Sequence, residues 1–272
     1  MDLSGRREPR AARPRPLVDL WRLPPLCPPR AVLSDSDHAA LMDGVYRYQR
    51  YIYDLTRKYY LFGRDRLIAQ MKPAPASLIV EIGCGTARNL IRMAKRYPGV
   101  ALYGLDASAA MLETARARMA AAGFADRIRL AHGYAENLSP ATFGLESGFD
   151  HAVFSYSLSM IPDWKQALEA ASRSLKPGGR IHIVDFADLA AWPGPLRAAL
   201  RRWLSLFHVE PHRELLEVLA AASEKTQQYQ LLGGRYAVLW RGPADAILGA
   251  MAIVARQSQR ADKSPSGAVA AP

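Results

Sequence analysis

The chain has few cysteines, no long apolar run and fewer acids than bases. Two of its 272 residues are cysteine, Cys27 and Cys84. They lie far apart, so no disulfide framework is expected and a reducing compartment is the natural setting. No run of about 18 apolar residues could span a bilayer. The first seven residues, MDLSGRR, lack the apolar core of a secretory signal. These absences predict a cytoplasmic protein.

The shortage of acids gives the chain a strong positive charge. Thirty-six lysines and arginines face 25 aspartates and glutamates, which leaves a formal net charge of +11. Such an excess suits nucleic acid and an anionic membrane surface about equally well. Composition alone does not choose between these two partners.

Composition and periodicity divide the chain into four segments. Residues 1–33 hold seven arginines and seven prolines, which predicts a disordered basic arm. In residues 34–72 apolar side chains recur every three or four positions from Asp37 to Met71, which predicts a helical lid. Residues 73–256 alternate strand and helix patterns, and residues 257–272 form a polar, disordered tail.

The alternating segment predicts a doubly wound α/β sheet of seven strands. A turn at residues 176–179 (KPGG) precedes the fifth strand, and Gly233-Gly234 marks a hairpin between the last two strands. That hairpin requires one antiparallel strand. The predicted strands are Ser77–Ile82, Ala101–Leu105, Ile128–Ala131, His151–Ser155, Arg180–Asp185, Thr226–Leu231 and Tyr236–Trp240.

The glycine-rich sequence VEIGCGTARNL (residues 80–90) begins at the end of the first of these strands and opens a helix. Asp106 ends the second strand 21 residues after Gly85, where an acid reaches a ribose. The pyrophosphate-binding form Gly-x-Gly-x-x-Gly is not met, because Arg88 stands at its third glycine. Glu81 would also repel a pyrophosphate. The pattern therefore favours a nucleoside cofactor that is cationic and carries no phosphate.

These residues resemble the first motif of class I S-adenosylmethionine-dependent methyltransferases, acid-x-Gly-x-Gly-x-Gly, with Ala87 at its last glycine. The resemblance implies a Rossmann-like fold, S-adenosylmethionine as cofactor, S-adenosylhomocysteine as product and no metal. Tyr134 departs from the family, which commonly places an acid there against the adenine. The implied cofactor positions are Tyr53, Glu81, Gly83, Gly85, Thr86, Asn89, Asp106, Ala107, Met111, Ala135, Glu136 and Ser155.

Three further segments narrow the resemblance. Residues 42–66, which include YDLTR (53–57) and LFGR (61–64), resemble the N-methyltransferases of betaine-lipid synthesis, as do residues 155–164 and 207–211. Those enzymes convert diacylglyceryl-homoserine to its trimethylated form. The resemblance implies an amine-headgroup lipid as substrate and a partner enzyme that supplies it. Phosphatidylethanolamine N-methyltransferases and quinone-biosynthesis C-methyltransferases stay open, as do an RNA-binding methyltransferase and a cofactor-binding pseudo-enzyme.

The reaction would be in-line attack on the sulfonium methyl, which needs an unprotonated acceptor but no leaving-group acid. Candidate proton acceptors are Tyr46, Tyr156 and His208. Arg57 and Arg64 are candidates to hold a substrate carboxylate or phosphate.

The positive charge is expected to serve a membrane rather than nucleic acid. An Asn-Pro-Pro-Tyr signature of base modification is absent, and no aromatic-lined groove for bases is evident. Residues 195–207 place leucines, a tryptophan and a phenylalanine beside arginines, a pattern typical of an interfacial helix. We therefore expect peripheral attachment to anionic membranes and no nucleic-acid partner.

Overall fold

The computed structural model describes residues 61–189, 192–205, 212–222, 227–231 and 236–263. Helices and strands alternate along these residues, joined in places by short 3-10 turns. In chain order they are α1 (Arg64–Met71), β1 (Leu78–Ile82), α2 (Arg88–Arg96), β2 (Ala101–Asp106), α3 (Ala109–Ala121), β3 (Ile128–His132), β4 (Phe149–Ser155), α4 (Trp164–Arg173), β5 (Leu175–Phe186), α5 (Gly194–Ser205), α6 (Arg213–Ala221), β6 (Gln227–Leu231), β7 (Ala237–Pro243) and α7 (Ala244–Lys263).

The strands form one mixed sheet in the order β3-β2-β1-β4-β5-β7-β6. Strands β1 to β5 are parallel, and β7 runs antiparallel to both β5 and β6. The strand order reverses between β1 and β4, and ligands of doubly wound sheets bind at the carboxyl ends of the strands beside such a reversal. The predicted Rossmann-like α/β fold, with an antiparallel strand beside the fifth, is confirmed.

Both faces of the sheet are covered by apolar helix faces. One cluster of buried residues packs α1, α2 and α3 against the sheet, with Leu67, Leu90 and Leu112 among its members. The opposite cluster packs α4, α6 and α7. Coverage of both faces explains why the central strands are nearly continuous apolar runs rather than alternating ones.

Three predicted boundaries are corrected by the structure. The helical pattern from Asp37 to Met71 is interrupted, because Gly63 adopts φ 86° and α1 begins at Arg64. Strand β5 begins at Leu175 rather than Arg180, since Leu175 already pairs with Phe149 of β4 and pairing resumes at Arg180 after a register shift across the KPGG segment. Helix α7 continues to Lys263, past the predicted start of the tail at residue 257. The arm 1–33 and residues 34–60 of the lid lie outside the described residues.

A buried histidine pair lies in the sheet. His151 on β4 places Nδ1 at 3.1 Å from Nε2 of His182 on β5. Burial lowers the pKa of both imidazoles, and the arginine charges at Arg180 and Arg241 lower that of His182 further. The folded protein therefore holds this pair neutral.

This pair predicts acid sensitivity at mildly acidic pH. Below the ordinary histidine pKa of about 6.5, the unfolded chain binds protons that the folded chain does not, so stability falls as the pH drops. His182→Leu cannot be protonated and should lessen this fall between pH 7 and pH 5, by up to about 1.4 kcal/mol per pH unit. Chemical denaturation at several pH values measures the slope. An unchanged slope in the variant would contradict the assignment.

Candidate active site

The glycine turn lies at the carboxyl end of β1, beside the end of β2. The backbone N–H groups of Gly83 and Cys84 both donate to the Leu105 carbonyl, at 2.9 and 3.1 Å. Gly83 and Gly85 adopt positive φ angles of 71° and 54°, and Ala87 also does, at 60°. The turn thus closes against β2 and starts α2, whose first N–H groups favour an anionic group.

Asp106 connects the glycine turn to the loop that follows β2. Its Oδ2 accepts the N–H of Gly85 at 2.7 Å, and its Oδ1 accepts the N–H of Ser108 at 2.9 Å. Each carboxylate oxygen has two lone pairs, so each can accept one more hydrogen bond. Ribose binding by Asp106 stays a prediction, and the carboxylate is held in a fixed orientation for it.

Glu81 is buried at the end of β1, and its Oε1 accepts the side-chain amide of Asn89 at 2.7 Å. Thr86 is also buried, and its Oγ1 accepts from Nη1 of Arg118 on α3 at 2.6 Å. The structure therefore brings Glu81, Thr86 and Asn89 together around the glycine turn, and their contact with a cofactor stays a prediction. Arg118 was missed, because nothing in the spacing of α3 marks it as a partner of Thr86.

The predicted adenine side follows β2 and β3. Met111 is half-buried at the start of α3, Ala135 is buried in a short 3-10 turn, and Glu136 beside it is half-buried. The Ala107 carbonyl lies 3.0 Å from Nε2 of His132 at the end of β3, which joins these two loops. Adenine contacts at these positions stay a prediction.

The end of β4 and the segment after it carry two buried hydroxyl groups, those of Ser155 and Ser157. A Cβ built on Gly83 would lie 2.5 Å from Cβ of Ser157, so this serine packs directly on the turn. The Oγ atoms of Ser155 and Ser157 are buried, and neither has a hydrogen-bond partner among the described residues. Burial without a partner is costly, and a bound ligand would supply one. Ser155 was predicted, whereas Ser157 was missed although it lies only two residues further on.

Tyr156 is placed differently from what a proton acceptor requires. The side chain is buried, and its hydroxyl donates to the Phe62 carbonyl at 2.6 Å. Burial raises the pKa of the phenol, which disfavours its ionised form. The ring contacts Phe186 with centroids 4.7 Å apart. The geometry makes Tyr156 an anchor for the loop before α1, and its catalytic role stays a prediction.

Asp185, near the carboxyl end of β5, is fully buried and was not predicted as a site residue. Its carboxylate accepts backbone N–H groups of Ser159 at 3.1 Å and Phe186 at 2.8 Å. Burial raises the pKa of this carboxyl. Asp185 holds the loop after β4 against β5, so it shapes the site. An acid ending a predicted apolar strand was the signal that could have revealed it.

Arg64 is buried at the start of α1, where its Nε donates to the Leu61 carbonyl at 3.1 Å. A substrate contact by Arg64 stays a prediction. Four other predicted positions lie outside the described residues, namely Tyr46, Tyr53, Arg57 and His208.

The glycine turn is an electronegative environment. Burial raises the pKa of the Cys84 thiol, and the negative charges of Glu81 and Asp106 raise it further. Two carboxylates close enough to act on this thiol favour a cationic ligand over a pyrophosphate. Within the described residues no group of three or more His, Cys, Asp or Glu side chains could hold a metal ion.

Comparison with known proteins agrees with this geometry. Residues 80–181 match the family model described as a methyltransferase domain. A ubiquinone/menaquinone biosynthesis C-methyltransferase, UbiE, of Geotalea daltonii is 30% identical over 141 residues, which are 50% of this chain and 58% of that protein. The O-methyltransferase resE of Aspergillus sclerotiorum is 31% identical over 154 residues, 56% of each protein. The chain thus spans less than two thirds of these relatives.

A solved structure shows the same fold. The S-adenosylmethionine-dependent methyltransferase SibL, in its apo form, superposes with a TM-score of 0.53 at 23% identity. The match covers 72% of this chain and 57% of that one.

Proposed function

We propose that the chain is a class I S-adenosylmethionine-dependent methyltransferase that methylates an amphiphilic acceptor at a membrane surface. The methyltransferase-domain match, the relatives and the fold support the reaction class and its cofactor. The proposal is carried by exposed apolar side chains around the carboxyl edge of the sheet. Large apolar side chains that stay exposed mark interaction surfaces when they cluster.

We call four of these side chains the apolar rim, since each belongs to a loop or helix at that edge. Tyr134 follows β3, Met160 follows β4 and Leu196 follows β5. The Phe62 carbonyl accepts the hydroxyl of Tyr156, the residue directly after β4. Their exposed fractions are 43% for Phe62, 62% for Tyr134, 41% for Met160 and 51% for Leu196. An acceptor with an apolar tail would cover this rim while its polar head enters the site.

Helix α5 supports a membrane as the source of that acceptor. Residues 194–202 include Arg197, Arg201 and Arg202 and no acid. Residues 194–202 are largely exposed, although Leu200 packs partly against the core. Basic residues beside exposed apolar ones favour an anionic bilayer, at about 1 kcal/mol per cation near the surface. We therefore propose that this helix attaches the protein peripherally to the membrane. No helix among the described residues is long and apolar enough to cross a membrane.

The first candidate acceptor atom is a ring carbon of a quinone precursor. The UbiE relatives of Geotalea daltonii and Cereibacter sphaeroides support it, since both are described as C-methyltransferases. A phenolic ring carbon becomes nucleophilic when its hydroxyl loses a proton. The chain would then need a proton acceptor, for which Tyr46 and His208 are candidates.

The second candidate is the amine of diacylglyceryl-homoserine, methylated three times. The segments YDLTR (53–57) and LFGR (61–64) support it, because they carry the resemblance to betaine-lipid N-methyltransferases. Both segments lie outside residues 80–181, which match the general methyltransferase domain. Arg57 and Arg64 would hold the homoserine carboxylate, and a partner enzyme would supply the lipid. Phosphatidylethanolamine is the related alternative, with its phosphate in place of the carboxylate.

Labelled S-adenosylmethionine, supplied to the protein with each acceptor in vesicles, separates these candidates. We expect label in one lipid product, identified by mass, and faster transfer from vesicles that contain anionic lipid. A product with one methyl on the quinone ring supports the first candidate, and successive mono-, di- and trimethylated lipids support the second. Transfer only to a water-soluble acceptor without an apolar tail would overturn the proposal.

A further inference from the structure

A line of four polar side chains runs from the surface of α1 to buried Glu81. Asp65 on α1 accepts Nη2 of Arg88 through both carboxylate oxygens, at 3.1 and 3.3 Å. Arg88 Nη1 donates to Oδ1 of Asn89 at 3.0 Å, and Asn89 Nδ2 donates to Oε1 of Glu81 at 2.7 Å. Exposure decreases along this line, from Asp65 at the surface to Glu81 in the interior.

Arg88 and Glu81 together hold the Asn89 amide at both of its ends. A guanidinium only donates hydrogen bonds, and an ionised carboxylate only accepts them. Between these two groups the amide satisfies both neighbours in a single orientation, with oxygen toward Arg88 and nitrogen toward Glu81. Without Arg88 the amide oxygen loses this donor, and the hydrogen bond to Glu81 alone holds the side chain.

We infer that Arg88 is a positioning residue for S-adenosylmethionine. Through Asn89 it fixes the Glu81 carboxylate, and Asp65 fixes Arg88. The inference rests on the proposed placement of the cofactor at the glycine turn, and not on the identity of the acceptor. It also gives a role to the arginine that stands where a dinucleotide site has its third glycine.

Arg92 provides a matched control. It lies one turn further along α2, and its Nη2 approaches the same Asp65 carboxylate at 3.4 Å. Arg92 carries the same charge and shares the same partner as Arg88, but Arg88 alone of the two donates to Asn89. Comparing the two arginines therefore separates the hydrogen bond to Asn89 from a general loss of positive charge beside α1.

Calorimetric titration of the full chain with S-adenosylmethionine tests the inference. We expect Arg88→Ala to weaken binding about tenfold, as loss of a hydrogen bond that orders a charged group does. Arg92→Ala should bind S-adenosylmethionine within about twofold of wild type, because solvent-exposed ion pairs contribute little free energy. Equal weakening by both variants, or none by Arg88→Ala, overturns the inference. A wild-type protein that fails to bind the cofactor overturns the proposed function instead.

The background variant Asn89→Ala shows whether Arg88 acts through Asn89. In this background Arg88→Ala should produce no further loss of affinity, because the two changes remove one pathway. Additive losses would mean that Arg88 acts in another way. Thermal unfolding of each variant identifies any that bind weakly only because they are unfolded.

Discussion

Replacing Gly83 with alanine is expected to destabilise the protein by about 2–5 kcal/mol. The left-handed backbone, at φ 71°, accounts for about 1–2 kcal/mol of this in an L-residue. The rest, about 1–3 kcal/mol, comes from overpacking, because the new Cβ would lie 2.5 Å from Cβ of Ser157. Ser157 lies on the segment that follows β4 and cannot withdraw without moving that loop. Chemical denaturation measures the loss.

Gly123→Ala is the control for the backbone contribution. Gly123 has nearly the same φ, 74°, and a Cβ there would meet no atom within 4 Å. It should cost about 1–2 kcal/mol, from the left-handed backbone alone. Equal losses for the two variants would show that the contact with Ser157 is relieved without cost. The prediction would then be wrong.

Replacing Asp106 with alanine is expected to weaken S-adenosylmethionine binding at least about tenfold. The change removes the acceptor proposed for the ribose hydroxyls, and charge-assisted hydrogen bonds contribute about 1.5–3 kcal/mol each. It also releases the N–H groups of Gly85 and Ser108, which loosens both loops of the site. Calorimetric titration of folded protein measures the affinity.

Asp150 is a matched control for Asp106, because it too is a carboxylate that binds backbone. Its Oδ2 accepts the N–H of Leu78 at 2.7 Å and Nζ of Lys176 at 2.8 Å, at the edge of the sheet opposite the glycine turn. Burial tends to raise the pKa of Asp150, but these two partners outweigh it and the pKa is lowered. Asp150→Ala should reduce stability while leaving cofactor affinity unchanged. Unchanged affinity in Asp106→Ala would refute the ribose assignment.

The sequence predicts which segments form strands more accurately than it predicts where each strand begins and ends. Apolar runs that end in glycines or acids identify the strands, because both faces of a parallel sheet are buried. The KPGG segment reads as a turn, yet β5 begins before it at Leu175. Gly178, at φ 79°, lets the chain bulge and then pair again with β4. Whether strand pairing begins before a turn depends on the neighbouring strand. The local sequence around the turn holds no information about that strand.

The candidate site likewise contains residues that the local sequence predicts and contacts that it does not. The glycine turn and Asp106 follow from local spacing, because their contacts lie within one βαβ unit. The partnership of Arg88 with Asp65 does not, since the two residues are 23 positions apart in different helices. The contacts of Tyr156 are equally hidden from local sequence. Its ring packs on Phe186 and its hydroxyl donates to the Phe62 carbonyl, 94 positions away in the chain.

Ala87 stands at the last glycine of the family motif, and its geometry shows how little that exchange costs. Its φ of 60° disfavours an L-residue by about 1–2 kcal/mol. Its methyl group is fully buried, however, and burial of one such group contributes about 0.8 kcal/mol. A glycine would lose that burial and would also lose about 0.5–1 kcal/mol more in chain entropy. Alanine and glycine therefore contribute nearly equally to stability at this position, and either residue can occupy it without disturbing the turn.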